Sequence, residues 1–189
     1  MLYFVEKWIE KKYFSIKNNL ALYDQLTGIY NYNWFTKFGL DIFSDKDVYI
    51  TLMDLNNFKQ INDTKGHLYA NEILFEIVKK LSKIISKEDP EAVMIRYGGD
   101  EFLILSTNID FGEVMLSKDH LENFISVGSY KKDSYESIMF AIDKADKSMY
   151  DHKRKVKEKN HGKSFDKLVK EYKYFKTLIC NEVKRKDIK

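Results

Sequence analysis

The sequence predicts an α/β (α+β) fold with a central, mostly antiparallel sheet flanked by helices. Short apolar segments bounded by turn residues predict buried strands, and longer segments with apolar residues at helical spacing predict helices. Two of the strands, Val93-Met94-Ile95 and Phe102-Leu103-Ile104-Leu105, are predicted to form a hairpin that reverses at Gly98-Gly99. A glycine pair is also common in ordinary tight turns, so the turn alone does not indicate a function.

The remaining elements follow from the same patterns along the chain. An amphipathic helix is predicted over residues 2–22, with Phe4, Trp8, Ile9, Tyr13 and Ile16 on its apolar face. The run Val48 to Met53 predicts a strand, and a polar, turn-rich loop is expected from Asp54 to Gly66. Further predictions are helices over 34–43, 68–86, 135–157 and 165–183, an irregular stretch over 110–118 and a strand over 124–127.

Carboxylates stand where two of these strands end or begin. Asp54 follows one strand, while Asp100 and Glu101 lie at the tip of the hairpin. A few carboxylates, completed by phosphate and water, form the oxygen-rich environment that Mg²⁺ prefers, whereas zinc would favour His or Cys. The pattern therefore indicates a magnesium site that binds a nucleoside triphosphate.

Composition limits the classes of protein to consider. A chain of 189 residues that is 44% hydrophobic is expected to build one core rather than two full domains. The single Cys180 excludes an internal disulfide framework, and no apolar run approaches the length of a membrane span, so a cytoplasmic protein is expected. The net charge of +3 is modest, and no nucleic-acid-binding surface is predicted.

Five sequence blocks stand out in order along the chain: Asp24 to Asn31, Asp54 to Asn71, Arg96 to Phe102, Ser126-Val127-Gly128, and Ala145 to Tyr150 with Lys153. Together they resemble a GGDEF domain, the catalytic module of diguanylate cyclases, whose fold is related to the polymerase palm and is ferredoxin-like. The resemblance implies a nucleotide cyclase domain over residues 23–160, preceded by the helix of 1–22 and followed by a helical extension over 161–189.

The resemblance implies that two nucleoside triphosphates are condensed into a cyclic dinucleotide. Two Mg²⁺ or Mn²⁺ ions per active site would be held by Asp54, the backbone carbonyl of Leu55, Asp100 and Glu101. Asp100 or its bound water would accept the hydroxyl proton, and Lys59 would stabilise charge on the phosphates. The other implied contacts to the substrate are the close approach allowed by Gly98 and Gly99, the backbone amides of Asn57 and Phe58, and a triphosphate clamp at Lys153.

Base recognition departs from the family pattern. Asn62 matches an asparagine that grips guanine in relatives, but Asn71 stands where they carry an aspartate. An aspartate accepts from both guanine donors, whereas an amide can donate to adenine N1 and accept from the adenine amino group. ATP is therefore a candidate substrate beside GTP. Alternatively, Asn71 caps its helix or rotates, and other contacts preserve guanine selectivity.

Further departures concern the phosphates and regulation. Val156 and Lys157 replace a Gly-Arg pair, so Lys157 keeps a positive charge but loses the bidentate geometry of arginine. Asp89 and Ala92 replace the Arg and Asp of a product-binding inhibitory site, so feedback inhibition through that site is not expected. The segment from Phe102 to Ser126 is shorter than usual, which predicts that one peripheral helix is trimmed, and His67 is expected to be structural.

The predicted partners follow from the implied reaction. Ring closure needs two facing sites, so a homodimer is expected, and the apolar face of the helix at 2–22 either packs on the domain or forms a dimer contact. No sensory or second enzymatic domain is visible in the sequence, and the receptor of the product is not identified. Two alternatives stay open: an ATP cyclase resembling the minimal CRISPR-type polymerases of antiphage signalling, and a non-catalytic nucleotide-binding module. The intact set Asp54, Lys59, Asp100 and Glu101 favours an enzyme.

Overall fold

The computed structural model describes residues 21–117, 121, 124–159 and 170. The helix predicted over 2–22 therefore lies outside the described residues except for its last two positions, and the one predicted over 165–183 lies outside them except for Lys170. The proposed domain boundaries at 22 and 160 stay predictions.

Five strands form one mixed sheet in the order β1-β3-β4-β2-β5, as the sequence predicted in outline. Only the short β1 pairs in parallel, with β3; the other pairings are antiparallel. The strands are β1 (Tyr30–Asn31), β2 (Val48–Leu55), β3 (Val93–Arg96), β4 (Glu101–Ser106) and β5 (Ile125–Lys132).

Helices cover both faces of the sheet. They are α1 (Tyr32–Trp34), which continues through a π-helical turn (Phe35–Gly39) into α2 (Leu40–Phe43), then α3 (Phe58–Lys65), α4 (His67–Glu88), α5 (Phe111–Leu116) and α6 (Ile138–Lys159). One core packs α4 against the sheet through Leu74, Ile77 and Leu81, and the other packs α6 against it through Ala141, Ala145 and Met149. Because β2 is central and covered on both faces, all its residues but Tyr49 are buried.

Two predictions of irregular structure were wrong. Residues 54–66 contain α3, whose polar sequence hides a short apolar face: Phe58 and Ile61, three residues apart, are both buried. The stretch 110–118 contains α5, because Asp110 accepts a hydrogen bond from Gly112 N at 2.8 Å and caps the helix.

Several boundaries also differ from the predictions. Strand β2 runs through Asp54 to Leu55, so Asp54 lies within the strand. Strand β5 extends to Lys132 because it pairs with the whole of β2, and helix α6 begins at Ile138 rather than at 135. No helix within the described ranges is long and apolar enough to cross a membrane.

Candidate active site

Hydrogen bonds within the turn and an ion pair to Asp24 hold the hairpin between β3 and β4 in place. Tyr97 N and Gly98 N both donate to Glu101 O, at 2.9 and 3.1 Å, and close the turn. The Arg96 guanidinium donates to Gly99 O at 2.6 and 3.1 Å and to Asp24 Oδ2 at 2.9 Å. Burial alone would raise the pKa of Asp24, but hydrogen bonds from Thr27 and the charge of Arg96 outweigh it and lower that pKa. The N-terminal Asp24 turn thus anchors the glycine turn.

The two glycines of this turn differ in their surroundings. Neither adopts a positive φ. A Cβ at Gly98 would lie 2.7 Å from Glu101 Oε2, whereas a Cβ at Gly99 would meet no atom within 4 Å. Glycine at 98 therefore makes room for the Glu101 carboxylate, and the role of both glycines in nucleotide approach stays a prediction.

Three acidic residues converge at the end of the sheet. Asp54 in β2 is the register partner of Glu101 in β4, and Leu55 N donates to Asp100 O at 3.1 Å. Asp54 is only 5% exposed, while Asp100 is half-buried and Glu101 lies at the surface. Burial, followed by repulsion from Asp54, raises the pKa of both Asp100 and Glu101. The arrangement concentrates negative charge at one place.

Lysine 153 compensates part of this charge. Its Nζ lies 2.7 Å from Asp54 Oδ1, and the side chains are 32% and 7% exposed. The sequence predicted Lys153 as a phosphate clamp and gave no signal for this ion pair. Asp146, two turns earlier on α6, also acts on the site, because its charge contributes to the raised pKa of Glu101.

An all-oxygen donor set with mutual repulsion fits a divalent cation better than any soft metal. The candidates are Asp54, Asp100 and Glu101, with the carbonyl of Leu55 at the same strand end. Within the described part of the chain, however, no group of three or more His, Cys, Asp or Glu side chains is already assembled as a metal site. Binding would therefore require small side-chain movements, including displacement of Lys153 from Asp54.

A helix N-terminus opens beside these carboxylates. Asn57 has a left-handed backbone (φ 61°) and starts α3, whose first turn has no side-chain cap and no acidic residue. Asn56 fixes this junction, because its N donates to Phe124 O at 2.8 Å and its Oδ1 accepts from Ser126 Oγ at 2.6 Å. Unpaired amides at a helix start attract phosphate. Lys59 lies exposed in the same turn.

The residues predicted to read the base lie on α3 and α4. Asn62 Oδ1 is 3.0 Å from His67 Nδ1, a contact that sequence reasoning missed. Asn71 is half-buried and follows His67 by one turn on α4. The three side chains therefore occupy one side of the α3–α4 corner. Lys157 lies exposed one turn beyond Lys153 on α6.

Asp89 stands where relatives carry the Arg of an inhibitory site, and in this protein it has a structural role. Asp89 is buried and accepts hydrogen bonds from Ser106 Oγ at 2.6 Å and from Glu91 N at 3.0 Å. Its carboxylate thereby ties the end of α4 to β4. It serves the fold from inside the protein.

Comparison with known proteins gives a consistent result. A family model described as "Diguanylate cyclase, GGDEF domain" matches residues 21–122. The chain is 34% identical over 119 residues to the probable diguanylate cyclase DgcI of Escherichia coli K12, covering 63% of this chain and 26% of DgcI. It is also 34% identical over 92 residues to the cyclic di-GMP phosphodiesterase PdeR of the same strain, covering 47% of this chain and 14% of PdeR.

A solved structure supports the fold. The coiled coil and GGDEF domain of DgcB from Caulobacter crescentus, in complex with c-di-GMP, superposes with a TM-score of 0.69 at 19% identity, covering 80% of this chain and 91% of that one. At this identity the likeness shows the fold alone. The chain spans about a quarter or less of the length of the two curated relatives above.

Proposed function

The chain belongs to the GGDEF family of diguanylate cyclase domains, and we propose that it condenses two nucleoside triphosphates into a cyclic dinucleotide with release of pyrophosphate. One observation carries the proposal: Asp54 and Glu101 face each other across β2 and β4, with Asp100 beside them. Family membership alone is not sufficient, because the similarity extends to a protein named as a phosphodiesterase. The retained carboxylates favour synthesis.

Asp54, the carbonyl of Leu55, Asp100 and Glu101 would hold Mg²⁺ or Mn²⁺, two per site. When bound, such cations neutralise the α-phosphate and lower the pKa of the attacking hydroxyl. In each of two successive steps a ribose hydroxyl oxygen forms a bond to an α-phosphorus, the bond from that phosphorus to the β-phosphate bridging oxygen breaks, and pyrophosphate leaves. The hydroxyl proton goes to Asp100 or to a water bound by it.

The cation bears directly on where this proton goes. Burial and the neighbouring Asp54 raise the pKa of Asp100 in the protein without the cation. A divalent cation held by the same carboxylate would lower that pKa and weaken Asp100 as a base, so activation of the hydroxyl by the cation would do most of this work. Asp100 is half-buried at the hairpin tip.

The triphosphate is proposed to bind along the open start of α3. The backbone amides of Asn57 and Phe58 would contact phosphate oxygens, since no side chain caps that helix. Lys59 supplies a positive charge in the same turn, and Lys153 and Lys157 supply two more from α6. Gly98 and Gly99 would let the backbone of the β3–β4 turn approach the nucleotide from the other side of the triphosphate.

Guanine is the base that the family implies, and Asn71 makes adenine a second candidate. Asn71 is half-buried one turn after His67 on α4, and His67 contacts Asn62. The Asn71 amide can donate to adenine N1 and accept from the adenine amino group. Toward guanine it offers only one acceptor for two adjacent donors. The product would then be cyclic di-AMP or a mixed dinucleotide.

Ring closure requires two chains, because one site binds one of the two triphosphates. We propose a homodimer with facing sites. A minimal CRISPR-polymerase-like cyclase would perform the same reaction with ATP as its substrate. A nucleotide-binding module without activity is the competing class.

The decisive experiment incubates the purified protein with GTP, ATP or both, in Mg²⁺ or Mn²⁺, and identifies products by mass. Cyclic dinucleotide plus pyrophosphate is expected, and Asp54→Asn should abolish both. Nucleotide binding without any product, in either metal, would contradict synthesis and favour the binding module. A product from ATP but not from GTP would support the CRISPR-polymerase-like ATP cyclase.

A further inference from the structure

We propose that Lys153 couples cation binding to nucleotide binding: without nucleotide its ammonium occupies Asp54 in place of a divalent cation, and the triphosphate draws it away. The inference rests on the proposed function, since it assumes that Asp54 is a cation ligand. It adds a coupling between the two ligands that the ligand set alone does not imply.

Lys153 is the ion-pair partner of the buried Asp54 carboxylate. Asp54 Oδ1 is buried and makes no hydrogen bond of good geometry with any described residue, yet Lys153 Nζ lies only 2.7 Å away. A buried carboxylate without a partner is costly, so the ammonium offsets part of the cost of burying Asp54. Asp100 and Glu101 add to the need for a cation here, because Asp54 repels both.

An ammonium and a divalent cation cannot share that oxygen. At contact distance their repulsion is strong, even in a partly screened site. The backbone at Asp54 cannot move aside, because it lies in the central strand β2 and pairs with Glu101 on one side and Ser126 on the other. Lys153 is 32% exposed on a flexible four-carbon stem, so it is the partner that moves.

Displacement gives a defined coupling between the ligands. In the free protein a cation must compete with Lys153 for Asp54. A triphosphate offers the ammonium another anion, which leaves Asp54 available. By linkage, each ligand then favours binding of the other. The coupling depends on one lysine, so removing that lysine should strengthen cation binding to the nucleotide-free protein.

The test is a Mn²⁺ titration of the nucleotide-free protein, with free Mn²⁺ followed by electron paramagnetic resonance. Lys153→Gln and Lys153→Met are expected to bind Mn²⁺ about tenfold more tightly than the wild type, because a unit charge next to the ligand is removed. Lys147→Gln is the matched control: it removes the same charge from the same helix, but Lys147 pairs with Asp143. Its effect should stay within about twofold.

Asp54→Asn completes the design. Combined with each Lys153 substitution, it should abolish the tighter binding of Mn²⁺. Thermal unfolding of every variant checks that it folds. The same Lys153 variants should bind a non-hydrolysable triphosphate more weakly than the wild type, so the two affinities move in opposite directions. A simple loss of structure would weaken both.

The outcomes separate the inference from the proposed function. If the Lys153 variants bind Mn²⁺ no more tightly than Lys147→Gln, the competition is absent and the inference is overturned. The cation site itself is judged by a second titration with the non-hydrolysable triphosphate present. Mn²⁺ that binds no more tightly to the wild type than to Asp54→Asn in that titration would overturn the proposed function as well.

Discussion

At the scale of single residues, the geometry of Asp54 determines what the site can do. Its side chain leaves a central, two-sided strand, so its direction is fixed by the ladder rather than by a loop. Asp100 and Glu101 come from a turn that Arg96 holds through Gly99 O. A rigid acid from one strand and two acids from a pinned turn form a site strained by like charges, of which Lys153 compensates only a part.

This strain predicts that the protein gains stability when a site acid is neutralised. Asp100→Asn should raise the free energy of unfolding in EDTA at pH 7, by less than about 1 kcal/mol because the site is partly exposed. The pKa of Asp100 is raised in the folded state, first by burial and then by Asp54, so its ionised form costs stability above that pKa. The gain should therefore shrink as the pH falls through it.

Thermal unfolding at pH 7.5 and pH 4 measures this gain. Asp45→Asn, at an exposed loop position, is the matched control and should change little. A stability lower than wild type at pH 7.5 would show that Asp100 is instead held by favourable contacts. Product formation should be lost in the same variant.

Asn71 supports a separate prediction about the base. Asn71→Asp should shift the ratio of kcat/KM for GTP over ATP upward by about tenfold, because a carboxylate accepts from both guanine donors. Initial rates with each nucleotide measure the ratio. Leu68→Ala, 85% exposed on the same helix, serves as the control. An unchanged ratio would show that Asn71 does not read the base.

At the scale of elements, the contact between α6 and β5 positions Lys153. A Cβ at Gly128 would lie 2.0 Å from Met149 N and 2.5 Å from Ala145 O, so the helix backbone touches the strand there. Gly128→Ala should cost about 1–3 kcal/mol, because backbone atoms cannot move aside as a side chain can. Chemical denaturation measures the cost.

Gly99→Ala is the control for this prediction, since a Cβ at Gly99 meets no atom within 4 Å. Its stability should stay near that of the wild type. Equal losses of stability in the two variants would show that the contact with α6 is not the cause of the loss in Gly128→Ala. Reduced nucleotide affinity in Gly99→Ala, with stability unchanged, would support the proposed close approach of the substrate.

The turn at Asp24 gives a pH dependence of the opposite sign to that of Asp100. Burial alone would raise its pKa, but Thr27 and Arg96 lower it, so its stabilising contribution is present above the ordinary carboxyl range and is lost as the pH falls through the lowered value. Asp24→Asn should cost about 1 kcal/mol at pH 7 and less in acid. Urea denaturation over pH 3–7 measures it; a cost that is constant over that range would contradict the assignment.

The elements also show how far the sequence could predict the structure. The hairpin and β2 were predictable because apolar runs end at turn residues, and these placed the three acids together. Helix α3 was missed because only Phe58 and Ile61 mark its buried side. Strand β5 was predicted too short, since its second half lacks an apolar run, yet Lys132 is fully buried and donates to the carbonyls of Ser44, Lys46 and Asp133.

Within the site, sequence reasoning named the proposed ligands but not their internal partners. The pairs Lys153–Asp54 and His67–Asn62 join separate elements through side-chain contacts that no local pattern encodes. The same holds for the bond from Arg96 to Asp24, which spans 72 positions of the chain. Such contacts depend on tertiary packing.

At the scale of the whole molecule, the proposed reaction needs two chains. If each product arises between two competent sites, a mixture of wild type with Asp100→Asn should lose activity as the square of the wild-type fraction. An equal, fully exchanged mixture would give about one quarter of the wild-type activity at constant total protein. About one half would show that a single chain completes the reaction alone.

The central claim is that oxygens from β2 and the β3–β4 turn hold a cation under a triphosphate. A crystal grown with Mn²⁺ and a non-hydrolysable GTP or ATP analogue tests it most directly, through anomalous scattering at the manganese edge. The account predicts an anomalous peak within coordination distance of Asp54 and of Asp100 or Glu101, with Lys153 turned towards the phosphates. Bound nucleotide with no manganese among these carboxylates, and Lys153 still on Asp54, would contradict it.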